Sequence, residues 1–171
     1  MVIGCGNLLA GDDGAGAEVV RRLEAQGEGG GEFRVMPQAG VELLEIFDNA
    51  DAILFVDAVV SGAPPGTLHL APLPWPGLEA RAASSLSSHG WGLGETLEVA
   101  RAIGRHVPRL MLLGVEVETV SLDIPRSAAV ERAIATVVEG FPRLHSLLSH
   151  TEATVWSSPR RFLPGDVTFP G

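Results

Sequence analysis

Short apolar runs alternate along the chain with segments whose apolar residues recur at helical spacing. The run at residues 52–59 is apolar except for Asp57 and has the length of a buried strand. Predicted strands span residues 1–4, 33–36, 52–59, 67–70 and 109–117, and predicted helices span residues 12–26, 41–49, 93–105 and 126–148. This alternation is typical of a mostly parallel sheet with helices on both faces, so we expect an α/β fold.

The later part of the chain adds three expectations. Residues 67–70 alternate apolar and polar side chains, which favours an antiparallel strand at the edge of the sheet. Gly140 and Pro142 are expected to bend or interrupt the last helix. Residues 1–150 then form a single domain, and the proline-containing residues 151–171 form an irregular C-terminal extension.

Composition narrows the classes of protein to which the chain can belong. Hydrophobic residues make up 46% of its 171 residues, which predicts a folded domain. No apolar run approaches the roughly 20 residues of a membrane span, and no signal peptide is recognisable, so we expect a cytoplasmic protein. A net charge of −9, with scattered arginines and no lysine, argues against nucleic-acid binding. The single cysteine, Cys5, excludes an intrachain disulfide, and nothing in the sequence indicates more than a monomer.

Candidate site residues lie where the predicted strands end, since ligands of open α/β sheets bind outside the carboxyl ends of the strands. Asp13, beside Asp12, follows the first strand, Asp57 closes the third, and His89 lies in a later polar loop. Each has a structural alternative. Asp12 can cap the first helix and leave Asp13 free. Asp57 must leave the core, pair or bind a cation, because a lone buried carboxylate is costly, and a structural hydrogen-bonding role is equally open. His89 can be an ordinary surface histidine.

Two carboxylates and one imidazole form a ligand set for a borderline divalent metal, for which nickel, copper and zinc outrank magnesium. The Gly4-x-Gly6 turn also suggests a Rossmann-like dinucleotide site, but residue 9 is Leu9 and not glycine, and Asp12 and Asp13 would repel a pyrophosphate. The sequence contains neither a Gly-x-Ser-x-Gly nucleophile elbow nor a His-Glu-x-x-His zinc motif. Any peptidase activity would therefore be of an unconventional kind.

Several motifs, in order, resemble those of the hydrogenase maturation proteases. They are Gly6-Asn7-Leu8-Leu9-Ala10-Gly11-Asp12-Asp13-Gly14-Ala15-Gly16, Gly40-Val41-Glu42-Leu43-Leu44, Phe55-Val56-Asp57-Ala58, Pro65-Gly66, Ser88-His89-Gly90 and Leu113-Gly114-Val115-Glu116. Together they cover roughly residues 1 to 148. The resemblance implies a three-layer α/β/α sandwich around a mostly parallel twisted sheet, similar to phosphorylase- or hydrolase-like domains.

The same resemblance implies an endopeptidase that removes the C-terminal extension of a nickel-containing hydrogenase large-subunit precursor after nickel insertion. It assigns nickel recognition and catalysis to Asp13, Asp57 and His89. It also implies that the nickel is carried by the substrate and that the resting enzyme is free of metal. A non-catalytic chaperone that binds the same metal-loaded partner is the alternative function.

Overall fold

The chain forms a six-stranded sheet in a computed structural model that describes residues 1–27, 31–37, 40–73, 93–118, 122, 124–149 and 160–163. The strands are β1 (Val2–Cys5), β2 (Phe33–Met36), β3 (Ala52–Val59), β4 (Leu68–Leu73), β5 (Arg109–Glu116) and β6 (Arg160–Phe162). The helices are the 3-10 turn η1 (Gly11–Gly14), α1 (Ala15–Gln26), α2 (Leu43–Asp48), α3 (Leu93–Ala102) and α4 (Ala128–Ser149). Four of the strands coincide with predictions to within a residue or two.

The strands lie in the order β2-β1-β3-β5-β4-β6. β1, β2, β3 and β5 run parallel, whereas β4 is antiparallel to β5 and β6 is antiparallel to β4. The expected antiparallel β4 is therefore confirmed, but within the described residues it is not at the edge, since β6 lies outside it. β6 also falls in the segment for which the sequence predicted irregular structure; that prediction is wrong for these three residues.

Two hydrophobic cores flank the sheet and make the expected three-layer α/β/α architecture. Along β3, Leu54, Val56 and Ala58 face one core, which also contains the apolar faces of α1 and α4. Ile53 and Phe55 face the other, which is shared with α2 and α3. This alternation follows from the two-residue period of a strand. Within the described part of the chain, no helix is long and apolar enough to cross a membrane.

The last helix runs through Gly140 and Pro142 as one element, so the predicted interruption is wrong. Proline removes one helical hydrogen bond, but Phe141 and Leu144 on either side are buried in the core. The Phe141 ring also packs against Phe33 of β2, with ring centroids 5.8 Å apart. Burial of these large side chains outweighs the local cost of the proline.

Glycines allow α1 to lie unusually close to the sheet. A β-carbon at Gly16 would lie 1.9 Å from the Val56 carbonyl oxygen, and one at Gly4 would lie 2.3 Å from the Gly16 carbonyl oxygen. Neither position can therefore carry a side chain. The start of α1, and η1 before it, are thus held against the ends of β1 and β3.

Candidate functional site

Asp13 is placed by the loop that leaves β1. Gly6 has φ +103°, and a β-carbon there would lie 1.9 Å from the Asp13 carbonyl oxygen, so the loop folds back tightly onto η1. The Asn7 amide then donates a hydrogen bond of 2.8 Å to the Asp13 carboxylate Oδ2. The Asn7 side chain in turn accepts a hydrogen bond of 2.9 Å from the Leu9 amide. A half-buried carboxylate is thereby fixed at the carboxyl edge of the sheet.

Asp57 is buried near the end of β3, with 5% of its surface exposed. The amide of Ala58 donates a hydrogen bond of 2.8 Å to its Oδ1. The pKa of the Asp57 carboxyl is raised to about 8, chiefly because the group is buried; the Ala58 hydrogen bond opposes this rise, and the nearby charge of Asp13 contributes to it. Asp57 therefore carries a proton near neutral pH. The sequence led us to expect that it would leave the core, pair or bind a cation; the structure shows that it can instead become neutral.

Cys5 lies beside Asp57 on the neighbouring strand, one position beyond the paired Gly4 and Val56. Its thiol is buried. Burial raises the pKa of the Cys5 thiol well above its usual range, and the charges of Asp57 and Asp13 raise it further. Because the thiolate is the reactive form, Cys5 is not suited to act as a nucleophile.

Asp12 does not cap the first helix, contrary to one reading of the sequence. Neither η1 nor α1 has a side-chain cap. The buried Asp12 carboxylate instead accepts a hydrogen bond of 2.6 Å from the Ser127 amide, at the start of α4 and 115 residues away in sequence. Negative charge is favourable at a helix N-terminus. Asp12 thus has a structural role, whereas Asp13, which is held by the Asn7 amide, is the partly exposed carboxylate of the pair.

Glu116, at the end of β5, is a buried acid that the sequence did not single out as a site residue. Its carboxylate accepts hydrogen bonds from Ser61, Gly62, Ala63 and His69. Burial lowers the pKa of the His69 imidazole, while the contact with Glu116 raises it in part. The sequence offered two signals for Glu116, an acid at the end of an otherwise apolar strand and its place in the Leu113-Gly114-Val115-Glu116 motif.

The structure thus brings Asp13 and Asp57 together, whereas His89 lies outside the described residues. Among the residues that are described, no group of three or more histidine, cysteine, aspartate or glutamate side chains could hold a metal ion. The two carboxyls differ sharply in surroundings, since Asp13 is partly exposed and Asp57 is enclosed. Such a pair can bind a cation from outside or move a proton to or from a bound molecule.

Comparisons with known proteins agree with this architecture. The sequence profile of the hydrogenase maturation proteases (HycI) matches residues 17–141. The hydrogenase 2 maturation protease of Escherichia coli K12 is 30% identical over 149 residues, which covers 81% of this chain and 85% of that protein. The hydrogenase expression/formation protein HoxM of Azotobacter vinelandii is also 30% identical over 149 residues, or 81% of this chain and 70% of that protein.

Solved structures give the same result. The hydrogenase maturating endopeptidase HybD from E. coli superposes with a TM-score of 0.63 at 25% identity, covering 86% of this chain and 92% of that one. The solution structure of an endopeptidase from E. coli superposes with a TM-score of 0.66 at 26% identity, covering 88% and 94%. The profile match spans most of the chain, and the fold agrees over nearly all of it. The chain therefore belongs to the hydrogenase maturation protease family and is an endopeptidase.

Proposed function

We propose that this endopeptidase removes the C-terminal extension of a nickel-containing hydrogenase large-subunit precursor after nickel has been inserted. The observation that carries the proposal is the enclosed, protonated Asp57 beside Asp13 at the carboxyl edge of the sheet. Strongly perturbed carboxyl pKa values cluster at functional sites. In this proposal the substrate is a large-subunit precursor in the cytoplasm, which supplies the polypeptide and the metal.

In this proposal Asp13, Asp57 and His89 recognise the nickel that the precursor carries. A carboxyl group must lose its proton before it binds a metal ion. The desolvated Asp57 carboxylate would be an unfavourable species by itself, and a divalent cation would neutralise it. Asp57 thereby distinguishes a metal-loaded precursor from an empty one, because only the loaded precursor offsets the cost of ionising it.

Cleavage adds water across the scissile amide, with the hydroxyl going to the carbonyl carbon and a proton going to the leaving nitrogen. Asp13 or Asp57 would take the proton from the attacking water as general base. The precursor's nickel would polarise the carbonyl or acidify the water. The raised pKa of the Cys5 thiol argues against a cysteine nucleophile.

The test is to incubate the protein with nickel-loaded and nickel-free precursor and to follow the shortened large subunit by mass spectrometry. We expect cleavage of the loaded form alone. Equal cleavage of both forms would refute metal recognition. Stable binding of the loaded precursor without cleavage would favour the chaperone alternative.

A further inference from the structure

The carboxylate of Glu116 holds the loop between β3 and β4 in place from within. Its Oε1 accepts hydrogen bonds from three successive backbone amides, those of Ser61 at 2.6 Å, Gly62 at 2.9 Å and Ala63 at 3.2 Å. Its Oε2 accepts the Ser61 hydroxyl at 2.8 Å and lies 2.9 Å from the His69 Nε2. Only 1% of Glu116 is exposed. A buried carboxylate with this many partners fixes the path of residues 61–63.

The far end of the same loop packs on the start of α4. A β-carbon at Gly66, which has φ +84°, would lie 2.8 Å from the carbonyl oxygen of Ala129. The amide of Ser127, two residues before Ala129, donates a hydrogen bond to the carboxylate of Asp12 in η1. The loop and η1 therefore both contact the start of α4. Since η1 also carries Asp13, the loop lies next to the candidate site.

The strand register places Glu116 close to Asp57. Asp57 pairs with Gly114, and Val59 pairs with Glu116, so all four residues face the same side of the sheet. Glu116 lies two residues nearer the carboxyl edge than Gly114. The loop it holds begins at Val60, three residues after Asp57, and the Val60 side chain is 48% exposed.

We propose that Glu116 is a positioning residue that holds the β3–β4 loop (residues 60–67) as a wall of the substrate site, and that Val60 on this wall contacts the precursor peptide. The proposal rests on the proposed function, because it concerns the same site and the same substrate. It assigns Glu116 a role in placing the peptide and none in binding nickel. His69 on β4 contributes by its hydrogen bond with the Glu116 carboxylate.

Two Glu116 variants test the positioning role through the KM and kcat for nickel-loaded precursor. Glu116→Ala removes the hydrogen bonds that the Glu116 carboxylate accepts from residues 61–63 and should raise KM about tenfold, because a wall displaced by about 1 Å misplaces the peptide. Glu116→Gln keeps an oxygen for the three amides and should stay close to wild type. Leu144→Ala, on the buried face of α4, is the control that lowers the melting temperature without touching the loop.

A second pair of variants tests the contact itself. Val60→Ser changes an exposed side chain and should raise KM about three- to tenfold by removing apolar contact. Ile103→Ser is the matched control, since Ile103 is 58% exposed but lies between α3 and β5, towards the amino ends of the parallel strands. It should leave KM unchanged.

The proposal is contradicted if the Glu116→Ala and Val60→Ser proteins fold and both cleave the precursor with wild-type KM. It is equally contradicted if Leu144→Ala raises KM as much as Glu116→Ala, because general destabilisation then explains the effect. Absence of cleavage by the wild-type protein would instead refute the proposed function. In that case the affinity of the protein for a fluorescent C-terminal precursor peptide gives the same comparison between variants.

Discussion

Asp57→Asn should stabilise the protein while abolishing cleavage. Unfolded, the Asp57 carboxyl has a pKa of 3.8, and folded it has one of about 8 because of burial. Below about pH 4 both states hold the proton, and the side chain has little effect on stability. Between these pKa values the unfolded chain loses the proton while the folded chain keeps it, so the free energy of unfolding falls as pH rises and levels off above about pH 8.

The size of the effect follows from the same pKa values. Each unit of pKa difference corresponds to about 1.36 kcal/mol, so ionisable Asp57 lowers the free energy of unfolding at pH 7 by at most about 4 kcal/mol. Asparagine has no proton to lose, and its side-chain oxygen can still accept the Ala58 amide. The gain over wild type should therefore grow from near zero at pH 4 by roughly 1.4 kcal/mol per pH unit.

Urea denaturation followed by circular dichroism at pH 5, 6, 7 and 8 measures this gain. Glu45→Gln is the matched control, since it makes the same acid-to-amide replacement at an exposed site on α2. It should differ from wild type by less than about 0.5 kcal/mol at each pH. If the difference between Asp57→Asn and wild type does not depend on pH, Asp57 is not the buried, protonated group described above.

Three further variants and one control test the contacts that support the site. Gly16→Ala should prevent stable folding because α1 cannot move off β3. Gly94→Ala is the control, since Gly94 is also at the second position of a helix but has open space around it; this variant should stabilise the fold by about 0.5–1 kcal/mol. Thermal melts compare the two variants. Asp12→Ala should lose about 1–2 kcal/mol with the contact to α4, yet still cleave precursor. Glu18 has a pKa lowered to about 2, chiefly by its hydrogen bond with Arg21. It stabilises the fold above about pH 4.5 and loses that contribution towards pH 2, so Glu18→Gln should flatten acid unfolding in this range.

The strands that carry the site could be predicted because burial on both faces leaves a plain apolar run, as in residues 52–59. β6 could not be predicted in this way, since Arg160 and Arg161 are exposed and give no apolar pattern. Its place is set by pairing with β4, a contact far away in sequence. Likewise Pro142 predicts a break in a helix unless the burial of its neighbours is known.

The site residues also differ in whether a local sequence pattern reveals them. Asp13 and Asp57 stand out because they are acids at the ends of apolar strands. Asp12 has a different role from Asp13 because the Asp12 carboxylate accepts a hydrogen bond from the amide of Ser127, 115 residues later in the sequence. The role of Glu116 depends on a loop 53–55 residues before it. Neither contact leaves a local pattern, and the raised pKa of Asp57 likewise reflects burial that only the assembled fold provides.

The most direct test of the central claim is the yield of shortened large subunit when Asp57→Asn and Glu45→Gln proteins are each incubated with nickel-loaded precursor. We predict wild-type yield from Glu45→Gln and no product from Asp57→Asn, although the latter protein is the more stable of the two. Product formation by Asp57→Asn at the rate of the control would contradict the assignment of Asp57 to the site.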